Sequence, residues 1–190
     1  MKKKHNVRII GGIWKKSSLP IIDIKKIRPT PNRIKETLFN WLDNLKSNSW
    51  SKVLCIDAFA GTGSLGFEAA SRGAKKVIMV EFDSKFAKNL DLNRQRLKAN
   101  NINIICGDVF KVLQKTEIKA DIIFLDPPFN KFDIEFLFIF CKKLISKCGI
   151  LYLETNMTFS EIEDIVISDW KIIKFGKAGN VNFFLMMQLF

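Results

Sequence analysis

Ala120-Asp-Ile-Ile-Phe-Leu-Asp-Pro-Pro-Phe129 is the stretch from which the rest of the chain can be read. Its apolar run from Ile122 to Leu125 fits a strand buried on both faces, the pattern of a parallel sheet covered by helices. Pro127 biases Asp126 toward an extended backbone and Pro128 removes a donor, so the strand stops at Asp126. A carboxylate, a backbone carbonyl and an aromatic ring then stand at a strand's C-terminal edge, where open α/β sheets bind ligands.

Outward from that strand the sequence alternates. Residues 52–57, 76–81 and 102–106 read as strands, with helices at 64–72, at 83–99 (Phe86, Leu90 and Leu97 inward) and from Asp108. After Asp126 come a helix turning Ile134, Leu137, Phe138, Cys141, Leu144 and Ile145 inward, and a strand at 149–154. A short helix near Glu161 and strands at 170–175 and 181–190 complete the chain. Such alternation predicts an α/β fold with a doubly wound, mostly parallel sheet. Upstream, residues 7–10, Gly11-Gly12, Ile13-Trp14 and residues 19–22 suggest a small β appendage with a glycine turn, Pro20 marking an edge strand. Thr30 is a plausible N-cap and Pro31 the first position of a helix reaching Leu45, with Ile34, Leu38, Trp41, Leu42 and Leu45 on one face.

A chain of 190 residues can bury a proper core, and 47% hydrophobic with 26% charged residues is ordinary for a soluble protein. The apolar run near 136–140 is too short to span a bilayer, and Arg8, Lys15 and Lys16 interrupt any signal-like region after Lys2-Lys3-Lys4. A cytoplasmic protein without membrane attachment is expected. The net charge of +12 is unevenly placed: residues 1–35 carry 11 basic side chains against Asp23 alone, the remainder 20 basic against 18 acidic. A basic arm on a nearly neutral body is an electrostatic footprint for nucleic acid. Arg28, Arg33 and Lys35 oppose the dipole at their helix's start, a weaker pointer to a phosphate partner. Cys55, Cys106, Cys141 and Cys148 show no paired spacing and are expected to be buried, reduced thiols. With His5 the only histidine, no metal site and no histidine base are expected.

Between the first strand and its helix lies Asp57-Ala-Phe-Ala-Gly61-Thr-Gly63-Ser-Leu-Gly66, followed by Glu81 at the end of the second strand. Glycines there permit a tight turn close to a nucleoside, and Glu81 suits a ribose diol. A nicotinamide dinucleotide and S-adenosylmethionine both meet those demands. Asp57 favours the second, since it suits an amino-acid ammonium better than a pyrophosphate. Asp108 at the end of the third strand can accept from an adenine amine, although it also suits a helix N-cap. The Asp126 corner supplies a reaction centre.

With these residues in view, the chain resembles the RsmD family, S-adenosylmethionine-dependent methyltransferases of a guanine N2 amine in 16S ribosomal RNA. The resemblance rests on Arg8-Ile-Ile-Gly-Gly-Ile-Trp14, Arg28-Pro-Thr-Pro-Asn-Arg-Ile-Lys-Glu-Thr-Leu-Phe-Asn-Trp-Leu42, the 57–66 loop, Asp126 to Phe129, and Lys177-Ala-Gly-Asn-Val181, in family order. Departures occur at Ser17-Ser18, where the family usually carries basic residues and a glycine, and at Pro31-Asn32, where Thr-Asp is common. The family implies a Rossmann-like methyltransferase sheet with its last strand antiparallel and a small N-terminal β appendage. It also implies a division into an RNA-binding arm and hairpin (1–30) and a methyltransferase domain (31–190). Asp126, Pro127 and Phe129 would hold the target base, and Asp57, Phe59, Gly61, Gly63, Glu81, Asp108 and Thr30 the cofactor. Arg8, Lys15, Lys16, Arg28 and Arg33 would hold RNA, with Arg28 and Thr30 ambiguous between RNA and cofactor. A monomer acting on 16S RNA or the assembling small subunit is expected. The rival readings are an adenine-N6 methyltransferase on DNA or RNA, a non-catalytic RNA-binding assembly factor and, more distantly, a nicotinamide oxidoreductase.

Overall fold

Residues 6–22, 30–45, 49–129, 131–166 and 169–189 are described by the structure, a computed structural model. Two short strands, β1 (Asn6–Arg8) and β2 (Ser18–Pro20), pair antiparallel as a hairpin. Helix α1 (Asn32–Leu45) follows, one residue later than the Pro31 start expected from sequence, with the Pro31 carbonyl accepting from Lys35 N. The α/β alternation then runs β3 (Leu54–Asp57), α2 (Ser64–Ser71), β4 (Lys76–Glu81), α3 (Ser84–Leu97), β5 (Ile102–Cys106), α4 (Val109–Leu113) and β6 (Ala120–Leu125). It continues as α5 (Ile134–Lys142), β7 (Ile145–Thr155), α6 (Phe159–Val166), β8 (Trp170–Ala178) and β9 (Val181–Gln188).

The seven long strands form one sheet in the order β5-β4-β3-β6-β7-β9-β8, with β3 to β7 parallel and β9 antiparallel to both its neighbours. This is the Rossmann-like methyltransferase arrangement expected from sequence, with its N-terminal β hairpin. Successive side chains on each strand enter different cores. Cys55, Ile122, Phe124 and Tyr152 pack on the face covered by α1, α2 and α3, while Ile56, Ile123, Leu125 and Leu151 pack toward α4, α5 and α6. Chain order reverses at β3, whose neighbours are β4 on one side and β6 on the other. A crevice therefore opens between the C-terminal ends of β3 and β6, the switch point at which such sheets bind ligands.

The appendage is fixed to the body by a buried polar cluster. Glu68 of α2, fully buried, accepts from Ile10 N at 2.8 Å and from Arg72 Nε at 2.9 Å. Arg72 also pairs with Asp43 of α1 and lies over the Phe39 ring. Lys35, read from sequence as part of a phosphate-holding segment, is instead fully buried, and its Nζ donates to the Arg8 carbonyl at 2.6 Å. Burial lowers its pKa, and Glu68 nearby opposes that shift. Gly12 explains why the loop takes no side chain there: its φ is 72°, and a Cβ would lie 1.8 Å from the Ser71 carbonyl oxygen.

Two further expectations change. Cys55 and Cys141 are buried, but Cys106 at the end of β5 and Cys148 near the start of β7 are exposed. The α5 helix stops at Lys142, and Ile145 opens β7 instead of continuing the helical face. Apolar residues at that point fit either period, and pairing of Ile145 with Ala120 decides for strand.

Replacing Glu68 with Ala removes the acceptor for Ile10 N–H and one partner of a largely buried guanidinium. A loss of about 3 kcal/mol is expected in urea unfolding, with Glu68→Gln recovering part of it.

Candidate active site

The crevice at the switch point is a cleft of about 580 Å³. Its floor is made by strand ends, and each end carries an acid: Asp57 closing β3, Glu81 closing β4, Asp108 after β5, Asp126 after β6 and Glu154 near the end of β7. These apolar strands bury their bodies in the sheet, so their final polar residues emerge together at one rim. Thr30, Phe59, Gly61, Pro127 and Phe129 also line the cleft.

The loop leaving β3 is shaped by two of these carboxylates. Asp57, 2% exposed, accepts from Gly66 N at 2.9 Å, and a Cβ on Gly66 would lie 2.9 Å from that same oxygen. Glu81 accepts from Gly61 N at 2.7 Å and from Asp83 N at 2.8 Å. Gly63, in the left-handed region at φ 79°, caps α2 and lies outside the cleft lining; a Cβ there would meet Phe67 and Leu90 within 2.8 Å. Its part is to let the turn form. Asp108 is the N-cap of α4, its Oδ1 accepting from Phe110 N and Lys111 N, and it lines the cleft as well.

Burial pushes Asp57 up to about 7, with Asp126 and Glu81 adding repulsion and the Gly66 bond opposing the rise. Burial likewise raises Glu81, against its bonds from Asp83 and Gly61. Crowded, desolvated carboxylates of this kind call for a cation and for donors from a ligand. Ser64 Oγ adds a second demand. It is buried, lines the cleft and has no hydrogen-bond partner among the described residues. S-adenosylmethionine offers an ammonium, a carboxylate, a ribose diol and an adenine amine, so the donor set fits it. Among the described residues, no group of three or more His, Cys, Asp or Glu could hold a metal ion.

The opposite wall is the 126–129 corner. Asp126 is half-buried, Pro127 buried, and Phe129 37% exposed at the rim. Phe59 lies tilted against Phe132, at 5.1 Å between ring centroids, and continues an aromatic wall to Phe110. Arg8, Lys15, Lys16 and Arg33 are exposed and do not line the cleft, while Arg28 lies outside the described residues. Glu154, Ser64 and Phe82 line the cleft without having been singled out from sequence. For Glu154 a signal existed: an acid ends the apolar run Ile150 to Leu153, as one ends or closely follows each earlier strand of the large sheet.

The family model described as Conserved hypothetical protein 95 matches residues 7–187. The sequence is 37% identical over 188 residues to the Ribosomal RNA small subunit methyltransferase D of Haemophilus influenzae, spanning 95% of this chain and 93% of that protein. A solved structure of a putative methyltransferase from Escherichia coli superposes with a TM-score of 0.83 at 29% identity, covering 97% of this chain and 98% of that one. That of a putative methylase from Haemophilus influenzae gives 0.76 at 33% identity, covering 97% and 99%.

The Asp57 carboxyl has a testable signature. Its folded pKa, about 7, lies above the ordinary 3.8, so its contribution to stability is complete below about pH 4 and is lost as pH rises to 7. Asp57→Asn should therefore raise the melting temperature at pH 8 relative to wild type and flatten the decline between pH 4 and 7. Thermal melts of the ligand-free proteins across that range check it; parallel curves contradict it.

Proposed function

The chain belongs to the conserved hypothetical protein 95 family of RsmD-like methyltransferases, and from that premise we propose that it methylates the exocyclic N2 amine of a guanine in 16S ribosomal RNA. The observation that carries this reading is the shared cleft: the Asp126-Pro127-Pro128-Phe129 corner opens onto the same space as Asp57, Glu81 and Asp108. S-adenosylmethionine, when bound, supplies an electrophilic methyl group on a positively charged sulfur. Asp57 would hold its ammonium, Glu81 its ribose, Asp108 its adenine amine, and Ser64 its carboxylate, with Phe59, Gly61 and Thr30 completing the walls.

A guanine amine is a poor nucleophile because its lone pair is delocalised into the ring. The Asp126 carboxylate and the Pro127 carbonyl accept its two N–H bonds and hold the nitrogen with its lone pair facing the cofactor half of the cleft. Phe129, exposed at the rim, stacks on the base and fixes its plane. Orientation is then the main source of rate. Once alkylated, the nitrogen is strongly acidic and gives up its proton without a dedicated base, in keeping with a chain whose single histidine is His5.

To reach Asp126 the base has to leave its stack, so the substrate is a structured RNA or an assembling subunit presenting an unpaired guanine. The exposed Arg8, Lys15, Lys16 and Arg33, with Arg28, supply phosphate contacts. The relative from Haemophilus influenzae, named for the small subunit's RNA, supports the same substrate class.

Small subunits from cells lacking the enzyme, incubated with tritiated S-adenosylmethionine, should take up label as N2-methylguanosine on nucleoside mapping. Label in N6-methyladenosine would favour the adenine reading instead. Asp126→Ala should bind the cofactor nearly as well as wild type and lose about 100-fold or more in kcat; full activity would remove the amine contact.

A further inference from the structure

Glu154 is buried to 3% exposure, yet it lines the cleft, and the reactions assigned above do not use it. Its position is set by the sheet. Leu125 of β6 is in register with Leu153 of β7, so Asp126 and Glu154 are the next residues on adjoining parallel strands and turn toward the same face. Tyr152, fully buried beneath, donates its hydroxyl to Glu154 Oε1 at 2.9 Å. Both carboxylates bear on that phenol and help push its pKa up, after burial itself. The Tyr152 bond fixes one oxygen of Glu154 and leaves the carboxylate held at the junction of two spaces. One is the main cleft. The other is a hollow of about 50 Å³ behind the corner, lined by Pro127, Pro128, Phe129, Thr155 and Met157 among others.

We propose that Glu154 is the residue that selects guanine, accepting the N1–H that lies beside the amine held by Asp126. This rests on the guanine-N2 reading and deepens it. On the Watson–Crick edge of guanine the exocyclic amine is flanked by N1–H, a donor. In adenine the amine is flanked by N1 with a lone pair, which a carboxylate repels. Strands lie about 4.8 Å apart, so acids at the same level on neighbouring strands can engage adjacent donors of a single base edge. Asp126 alone accepts an amine from any aminated base. A second buried carboxylate beside it makes the site demand two donors in a row, and repulsion between that carboxylate and the lone pair on N1 of the wrong base supplies the discrimination.

The decisive probe is 2-aminopurine, which keeps the amine at C2 and lacks N1–H. Small subunits are reconstituted with 16S RNA carrying guanine, 2-aminopurine or adenine at the position found by nucleoside mapping, and methyl transfer is measured on each. Wild-type enzyme should prefer guanine over 2-aminopurine by about 100-fold in kcat/KM. Glu154→Gln, whose amide can donate to N1, should be slower on guanine and should shrink that preference below about 10-fold, with cofactor affinity unchanged. Equal losses on guanine and 2-aminopurine would make Glu154 a packing residue and overturn the proposal. Wild-type enzyme that uses 2-aminopurine as well as guanine overturns it without recourse to any variant. Labelling of adenine in place of guanine would remove the guanine reading itself, an outcome distinct from both.

Discussion

The hydrogen bond from Gly66 N–H to the buried Asp57 carboxylate is the constraint on which the cleft depends. It ties the end of β3 to the first turn of α2, while Glu81 ties Gly61 to the end of β4. Between them these two bonds force the chain leaving β3 to curl under the rim of the sheet. The cost is electrostatic, since both carboxyls are desolvated and raised in pKa. A protein optimised for stability alone would not bring acids together in this way, and the strain is directed at the space where a cation is to sit.

The N-terminal hairpin shows the opposite use of buried charge. Glu68, Arg72, Asp43 and Lys35 are paired with one another or with backbone carbonyls and amides, and they hold the hairpin against α1 and α2. The exposed Arg8 thus projects from β1, and Lys15 and Lys16 from a loop anchored by Ile13 and Trp14 to Ser71. Basic groups on an anchored platform approach an RNA with less ordering cost than the same charges on a free tail.

Much of this was legible in the sequence. Alternating apolar strands and amphipathic helices gave the layer order, because burial on both faces leaves a continuous hydrophobic run that loops cannot imitate. Asp57, Glu81, Asp108 and Asp126 were legible because each is an acid ending such a run. Glu154 met the same criterion but had no motif around it, and only the pairing of β7 beside β6 brings it next to Asp126. Lys35 was illegible for another reason. A lysine two residues from an arginine at a helix start reads as a phosphate contact, and its burial depends on the Arg8 carbonyl, 27 residues away in sequence. Cys106 and Cys148 misled in the same manner, since apolar neighbours in sequence do not fix a residue's exposure in the fold.

β9 runs between β7 and β8, and so separates two strands that precede it in the chain. While a ribosome is still delivering residues 181–188, β7 has no companion on that side, and β8 has nowhere to dock. The half-built sheet then offers a bare apolar border including Leu151 and Leu153, a ready template for other nascent chains. Completion of the sheet waits on a segment translated after both of its neighbours, so a chain stopped a few residues short of Val181 would have its cleft-forming strands in place and its flank unsealed.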